Sequence, residues 1–342
     1  NTDKKCDTVG FLAHMDTSNA ASGRNIKARI IENYDGGDIE LSEGIFTKVA
    51  DYPDIAKLKG KDIIVTDGTT LLGADDKAGI AIIMDTVQYL QQHPECPHGN
   101  IRVCFTPDEE VGMGPNSFDL DYFKADYAYT VDGAYEADIA YENFNAASAE
   151  FKITGVSVHP GEAKDIMVNA GLIACEIAMK LPEKEIPAHT ENREGFYHLT
   201  DISGDVVSAN LSYIIRDHDK NLFESKLNKL RAIEVEMNQK YGANTVDLTI
   251  THSYENMLSV IENNMHVVDL AKDAIFAVGL EPVSLPVRGG TDGARLSFMG
   301  LPCPNLGTGG YGFHGPFEHI SVDSMERVVK ILKEIISNPI DK

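Results

Sequence analysis

The stretch NIRVCFTPDEEVG (residues 100–112) decides the fold, because it carries an apolar, β-rich run directly into two adjacent glutamates, Glu109 and Glu110. An adjacent pair of like charges is usually part of a solvated loop, and that is the simplest explanation here. Three other short apolar runs also end in polar residues: TVGFLAH at His14, DYAYTVDG at Asp132 and LPCPNLGTGGYGFHG at His314. Runs of this kind, alternating with helical stretches, predict an α/β fold with a mostly parallel sheet covered by helices.

Three stretches with helical character are expected to cover that sheet. They are residues 76–93, which stop before Pro94, residues 264–279 and residues 324–337. In an open α/β sheet, ligands bind beyond the carboxyl ends of the strands. We therefore expect the polar clusters at the strand ends to converge on one edge of the sheet.

Residues 147–255 have a different pattern and predict an inserted second domain. SAEFKITGVSV and VDLTITHSY are typical of strands, DVVSANLSYIIRDHD of a strand pair, and residues 170–182 and 221–242 of amphipathic helices. The resulting order, β-α-β-β-α-β, is that of a ferredoxin-like α+β domain. The first domain then consists of residues 1–146 and 256–342.

Charge and cysteine usage limit the partners and the compartment. The chain has 30 basic and 53 acidic residues, a formal net charge of −23, and it lacks a basic stripe that could meet phosphates, which disfavours nucleic acid and anionic membranes. No apolar run approaches the roughly 20 residues that a membrane helix needs. Five scattered cysteines without a CxxC pair argue against a disulfide framework and favour a reducing, cytoplasmic compartment. The chain starts at Asn1, inside a strand-like pattern, so we expect an upstream segment to be missing.

The polar clusters offer side chains that bind metals. They are AHMDT with His14 and Asp16, LLGADDKAG with Asp75 and Asp76, TPDEEVG with Asp108, Glu109 and Glu110, TVDGAYEADI with Asp132, and GFHGPFEH with His314, Glu318 and His319. Histidines together with carboxylates suit borderline divalent metals, zinc above all, with cobalt or manganese possible. Each cluster alone has a simpler explanation, such as a helix cap for Asp75 and Asp76 or a turn for Asp132. The ordered set makes a metal site the better interpretation.

This ordered set resembles the M20 family of cocatalytic metallopeptidases, and within it the branch of tripeptide aminopeptidases. The matching segments are GFLAHMDTS, LLGADDKAGIA, FTPDEEVGMG, YTVDGAYE, GVSVHPGEAKDIMVNA, VRGGTDGARLS and NLGTGGYGFHG. They extend over essentially the whole chain, although the N-terminal helix and first strand of the family are not present. The resemblance implies the family's α/β catalytic domain with an inserted lid domain.

The resemblance also implies two metal sites with a shared ligand. Asp75 would bridge two Zn²⁺ ions per subunit, with Co²⁺ or Mn²⁺ as possible substitutes. The remaining ligands would be His14 and Asp132 at one ion, and Glu110 and His314 at the other. His314 is preferred over His319 because the family's ligand comes first in HGPFE. The position of that segment that is often His or Asn in relatives is Phe317 here, a departure that is expected to alter the rim of the site.

Other residues near the ligands receive separate roles from the resemblance. Glu109 would be the general base that takes a proton from a metal-bridging water, and Asp16 would orient His14. The family's cis peptide bond falls at Asp75–Asp76, where Asp76 is otherwise expected to be a helix cap. Asp108 is interpreted as a loop residue.

Substrate-binding residues are expected in the inserted domain and near the end of the chain. By resemblance, His159 stabilises the oxyanion, often from the partner subunit of a homodimer, and Arg216 binds the substrate carboxylate. Arg216 could instead pair with Asp217 or Asp219. Arg288 is a candidate substrate anchor or a structural residue of a glycine turn, and Asn210 is a weaker polar candidate.

The sequence thus favours an aminopeptidase with two zinc ions that releases the N-terminal residue of short peptides, most often tripeptides. A second hypothesis is an M20 dipeptidase or an N-acyl-amino-acid deacylase on the same scaffold. A third is a catalytically silent binding protein, which the presence of all five ligands and of Glu109 disfavours.

Overall fold

The computed structural model describes residues 6–340 of the chain and contains two units. The first unit comprises the residues up to Tyr141, Met257–Leu285 and the residues from Thr291 onward, and the second comprises Glu142–Asn256 and Pro286–Gly290. The sequence had placed the second domain at 147–255, without the short return segment at 286–290. The start of the chain at Asn1, where a strand interior was expected, lies outside the described residues.

The described residues form fifteen strands and eight α-helices. The strands are β1 (Val9–His14), β2 (Arg29–Ile31), β3 (Ile39–Ser42), β4 (Ile45–Thr47), β5 (Ile63–Val65), β6 (Ile101–Thr106), β7 (Tyr127–Gly133), β8 (Ile139–Ala140), β9 (Asn145–Thr154), β10 (Phe196–Gly204), β11 (Ser208–Asp217), β12 (Val246–Tyr254), β13 (Asn305–Gly307), β14 (Gly310–Tyr311) and β15 (His319–Ser321). The α-helices are α1 (Ala74–Gln92), α2 (Leu120–Phe123), α3 (Ala170–Met179), α4 (Lys220–Tyr241), α5 (Leu258–Ile261), α6 (Met265–Ala277), α7 (Asp292–Met299) and α8 (Val322–Ser337).

A five-stranded sheet in the order β6-β1-β7-β13-β8 forms the centre of the first unit. The pairs β1–β6, β1–β7 and β7–β13 are parallel, and β8 alone runs antiparallel to its neighbour. Every residue of β1 is buried, as expected for a parallel strand that is covered on both faces. Helices α1, α6 and α8 pack their apolar residues into the same core as β1 and β7. The α/β fold class with a mostly parallel sheet is confirmed.

The helix boundaries lie close to those expected from the sequence. Helix α1 ends at Gln92, two residues before Pro94, and α6 and α8 lie within or close to the two C-terminal stretches with helical periodicity. Within the described residues, no helix is both long enough and apolar enough to cross a lipid bilayer.

A second, smaller sheet of the first unit was not anticipated from the sequence. It has the order β14-β15-β5-β2 and is antiparallel throughout. Its strands are two or three residues long, too short to show an alternating pattern. Its loops matter for the site, because the chain reaches α1 from β5 and returns from β14 to β15 through His314.

The second unit has the predicted ferredoxin-like order β9-α3-β10-β11-α4-β12. Its antiparallel sheet has the strand order β10-β11-β9-β12. Alternate residues of β11 are buried and share a core with α3 and α4. Asp219 begins α4 as an N-cap and accepts hydrogen bonds from the N–H groups of Asn221 and Leu222, which satisfies donors that a helix start leaves free. The α+β prediction for this region is confirmed.

Candidate metal centre

His14, the last residue of β1, is the centre of a first group of possible ligands. β1 lies between β6 and β7 in the parallel sheet, so its carboxyl end faces the ligand-binding edge. The His14 ring is 2% exposed, and its Nε2 lies 2.8 Å from Asp75 Oδ1 and 3.4 Å from Asp132 Oδ1. Asp132 comes from β7, the adjacent strand.

His314 is the centre of a second group. Its Nε2 lies 3.0 Å from Asp75 Oδ2 and 3.2 Å from Glu110 Oε2. Asp75 therefore belongs to both groups, with one carboxylate oxygen turned to each histidine. Within each group, the possible ligand atoms lie no more than 4.8 Å apart, which is close enough for a single cation to contact them all.

The five side chains reach this place in two different ways. His14, Glu110 and Asp132 lie in or directly after parallel strands of the central sheet. Asp75 instead lies at the start of α1, and His314 lies in the loop between β14 and β15 with a φ of 63°. The start of a helix is where Asp75 was expected, whereas the expectation that His314 ends a strand of the parallel sheet is wrong. The small antiparallel sheet supplies their loops.

Asp16 holds the pair of glutamates at the sheet edge. Its Oδ1 accepts a hydrogen bond from Glu109 N and its Oδ2 accepts one from Glu110 N, both at 3.1 Å. The His14 Nδ1 atom lies 3.1 Å from the backbone oxygen of Asp16 and 3.4 Å from its carboxylate. The orientation of His14 thus rests first on the backbone of Asp16, while the carboxylate fixes the turn that carries the two glutamates.

The backbone at Asp75–Asp76 has the cis peptide bond that the resemblance implied. Asp76 is buried, and its carboxylate accepts hydrogen bonds from Gly79 N at 3.1 Å and from His14 N at 3.2 Å. The bond to Gly79, three residues on, is the pattern of a helix cap, as expected. The second bond ties the start of α1 to the end of β1.

Burial and crowding of carboxylates dominate the electrostatics. Burial, together with the charge of Asp132, raises the pKa of Glu109 to about 8. Burial also raises the pKa of Asp132 to about 7. For Asp75, burial is outweighed by hydrogen bonds from His14 and His314, which lower its pKa. Burial opposes the charge on His14 as well, but hydrogen bonds to Asp132 and Asp75 raise its pKa to about 12. Crowded, buried carboxylates are stabilised in their charged form by a nearby positive charge, so this group of acidic side chains favours a cation beside it.

The donor set fits a pair of divalent cations. Each group has one imidazole and two carboxylates, the ligand types that zinc and related ions accept. In addition, Glu110 Oε1 is buried without a hydrogen-bond partner among the described residues. A buried carboxylate oxygen normally has a partner, and a cation at this position would provide one.

Two further buried carboxylates lie beside the site: Asp292, which the sequence patterns did not mark, and Glu318, which was named in the GFHGPFEH cluster without a role of its own. Asp292, 4% exposed, begins α7 and accepts a 2.7 Å hydrogen bond from Thr106 Oγ1 at the end of β6. Its charge is one cause of the raised pKa of Glu109. Glu318, 2% exposed, accepts three backbone hydrogen bonds from the turn before α1. Glu318 lies in the same short segment as His314, and Asp292 lies in VRGGTDGARLS, one of the segments that carry the family resemblance.

His319, the competitor of His314, has a different environment. It is 1% exposed, its ring stacks on Tyr311 at 5.9 Å, and its Nδ1 lies 2.8 Å from the backbone oxygen of Phe317. The Phe317 ring packs against Tyr52 at 5.5 Å. His314, and not His319, belongs to the ligand groups found among the described residues.

The candidates in the second unit do not form one cluster. Arg288 donates to the backbone oxygens of Asn192, Glu194 and Thr190 and to Thr190 Oγ1, at 2.8 to 3.3 Å. Its guanidinium also lies over the rings of Phe144 and Phe196, 5.1 and 5.7 Å from their centroids. These contacts are those of a structural residue.

Arg216, by contrast, keeps part of its guanidinium uncommitted. Nη1 donates to Arg288 O at 2.9 Å, whereas Nε is buried without a partner in the described chain. His159 is exposed, and its Nδ1 accepts a hydrogen bond from Gly161 N. Asn210 is exposed on β11.

Comparison with known proteins finds a matching family profile and similar proteins. Residues 67–338 match the sequence profile of peptidase family M20/M25/M40. A protein named Peptidase T from Caldanaerobacter subterraneus subsp. tengcongensis is 52% identical over 338 residues, which cover 98% of this chain and 83% of that protein. The crystal structure of aminopeptidase PepT from Bacillus cereus is similar, with a TM-score of 0.79 and 25% sequence identity. The crystal structure of a tripeptidase from Staphylococcus aureus has a TM-score of 0.79 and 23% sequence identity. Each comparison covers 98% of this chain and 82% of the other chain. The chain therefore belongs to peptidase family M20/M25/M40 and is a hydrolase of the metallopeptidase class.

Proposed function

We propose that the chain is an aminopeptidase with two zinc ions that removes the N-terminal residue from short peptides, tripeptides in particular. The observation that carries this proposal is the position of Asp75, whose two oxygens face His14 and His314 separately. Two adjacent cation positions that share one carboxylate suit the hydrolysis of an amide bond.

The five side chains would hold the two ions as follows. His14 and Asp132 would bind one, Glu110 and His314 the other, and Asp75 both. Zinc accepts this mixture of imidazole and carboxylate, and Co²⁺ or Mn²⁺ could replace it. When bound, the ions polarise the peptide carbonyl and make water more acidic.

Glu109 supplies the proton transfers. Its carboxylate takes a proton from the attacking water and delivers it to the amine that leaves, which is general base and then general acid catalysis. Asp16 holds the backbone of Glu109 in place through a 3.1 Å hydrogen bond. A hydrogen bond that fixes the main chain restricts where the carboxylate can reach.

Recognition of the substrate is assigned to the second unit. A guanidinium binds a carboxylate through two parallel hydrogen bonds. The Nε of Arg216 has no hydrogen-bond partner among residues 6–340, which leaves such a donor available for the C-terminal carboxylate of a short peptide. We assign oxyanion stabilisation to His159, acting within a homodimer, and a weaker polar contact to Asn210. The names of two relatives, Peptidase T and a tripeptidase, support tripeptides as substrates. The five cysteines are free thiols, which supports a reducing compartment such as the cytoplasm.

A panel of substrates, measured with the wild type and with the Glu109→Gln variant, tests this proposal. With Zn²⁺ or Co²⁺ present, tripeptides should be cleaved faster than dipeptides, tetrapeptides or N-acyl amino acids, with release of the N-terminal residue. Glu109→Gln should lower kcat by about 10²–10⁴-fold, the range for a lost general base, while metal content stays at two ions. The neighbouring exposed Asp108 gives a matched control, because Asp108→Asn should retain wild-type kcat.

The panel also separates the alternatives. Preference for dipeptides would favour a dipeptidase on this scaffold, and preference for N-acyl amino acids would favour a deacylase. Wild-type turnover by Glu109→Gln would remove the proposed mechanism.

A further inference from the structure

Glu318 lies four residues after His314, and neither metal binding nor proton transfer explains it. The side chain is 2% exposed. A buried carboxylate is costly unless hydrogen bonds compensate for the lost water. The hydrogen bonds of Glu318 therefore indicate what the residue does.

Both oxygens of Glu318 bind the backbone of the turn before α1. Oε2 accepts from Leu72 N at 2.7 Å and from Gly73 N at 2.8 Å, and Oε1 accepts from Asp75 N at 3.0 Å. Gly73, at the N-cap position of α1, has a φ of 76° and no side chain that could cap the helix. The Glu318 carboxylate, 245 residues away along the chain, binds this turn, while Asp76 caps the regular part of the helix through Gly79 N.

This contact connects the two ligand-bearing loops. One end is the N–H group of Asp75, the residue shared by both ligand groups. The other end is Glu318 itself, which lies four residues after His314. The His314 side chain is 52% exposed, so packing does little to hold it in position. A second side-chain bond to this loop, from Thr66 Oγ1 to Pro316 O, is longer at 3.3 Å and joins neutral groups, which bind more weakly than a charged acceptor does.

We propose that Glu318 is a positioning residue for the ligand group of Asp75, Glu110 and His314. It fixes the backbone of Asp75 to the His314 loop, which keeps Asp75 Oδ2 and His314 Nε2 3.0 Å apart. The inference rests on the proposed function, because it requires an ion in that group. Loss of a residue that orients ligands typically weakens metal affinity by about 10–100-fold.

Glu318→Gln tests this role with two measurements that do not depend on activity. The amide places a donor where a backbone N–H now finds an acceptor, so at least one of the three bonds is lost. Titration with Co²⁺, followed by calorimetry and by the visible cobalt absorption, should show that the Kd for the ion of the Asp75, Glu110 and His314 group is raised about 10–100-fold. The ion of the His14 group, which shares Asp75 but does not depend on the His314 loop, should be weakened clearly less. Hydrogen exchange of the peptide that contains Leu72, Gly73 and Asp75 should be faster than in the wild type.

Glu136→Gln is the matched control. Glu136 is 3% exposed in the same unit, and its Oε1 binds Arg327 Nη1 at 2.7 Å and Lys61 Nζ at 3.3 Å. This variant should lose stability yet bind both ions as the wild type does. If Glu318→Gln cannot be purified in folded form, Glu318→Asp, which keeps both oxygens but shortens the side chain, is judged by the same criterion.

The outcomes distinguish the inference from the proposed function. If the wild type binds two ions and the Glu318 variant binds the ion of the His314 group as tightly as the wild type does, the inference is overturned while the proposed function stands. Equal weakening of both ions, or equal weakening by Glu136→Gln, would show a structural role only and also overturn it. Fewer than two ions on the wild type would overturn both.

Discussion

The two units bring their candidate residues together to different degrees. In the first unit, side chains from five separate segments form two ligand groups that share Asp75. In the second, the described contacts join Arg216 to Arg288, while His159 and Asn210 are exposed at other places. Adjacent parallel strands end at one edge, so polar residues at their ends meet. Antiparallel strands end at alternate edges, and residues on them have no such common point.

This difference indicates which assignments the fold itself supports. The ligand groups rest on distances between side chains within the first unit. The substrate contacts rest on resemblance and on individual donors, such as the Nε of Arg216. The variants below test the two kinds of assignment separately.

The largest effect is expected from Asp75→Asn. Asparagine keeps one neutral oxygen and puts an NH₂ group in the place of the other, so both groups lose the negative charge of the shared carboxylate. Both ions should therefore bind weakly, and kcat/KM should fall by about 10⁴-fold or more, given several kcal/mol of stabilisation from the ions. Metal analysis after dialysis and initial rates with a tripeptide measure this. Glu110→Gln is the control, because it belongs to one group only and should retain one ion. Wild-type affinity for either ion in Asp75→Asn would contradict the shared position.

A smaller effect, on KM rather than on kcat, is expected from Arg216→Lys. The lysine keeps the charge but not the planar pair of donors, so KM for a tripeptide should rise about tenfold, equivalent to roughly 1.4 kcal/mol. Metal content should not change. An amidated tripeptide, which lacks the carboxylate, should show no difference between the two proteins. A rise in KM of the same size with the amide would refute carboxylate binding by Arg216.

The smallest effect on catalysis is expected from Arg288→Met. Its four hydrogen bonds and two ring contacts all stay within the second unit. Their loss should lower the free energy of unfolding by about 2–3 kcal/mol, at roughly 1 kcal/mol or less for each contact. KM should stay within about threefold. Chemical denaturation and steady-state kinetics on the same preparation check this, and a large rise in KM with unchanged stability would restore Arg288 as a substrate anchor.

Much of the fold could be predicted because its main elements carry either a continuous apolar run or a helical period. Strands such as β1, with six buried residues, and helices such as α1 and α8 carry clear patterns. The small sheet of β2, β5, β14 and β15 could not be predicted, because strands of two or three residues show no period. Because this sheet was not predicted, His314 was expected at the end of a strand of the parallel sheet.

The candidate site was predictable where each ligand lies in a distinct short motif. The contacts of Glu318 and Asp292 could not be predicted, for another reason. Their partners are backbone and hydroxyl groups 243 and 186 residues away, and no local pattern shows such a contact. The bonds of Arg288 to Thr190 and Asn192 could not be predicted for the same reason.

The central claim is that one carboxylate, that of Asp75, serves two ions. Crystals grown with Zn²⁺ and measured at the zinc absorption edge test it directly through an anomalous difference map. We expect two peaks about 3.5–4 Å apart, the usual spacing of paired catalytic ions. One should lie beside His14 and Asp132 and the other beside Glu110 and His314, with an oxygen of Asp75 at each. A single peak, or two peaks of which only one contacts Asp75, would contradict the account.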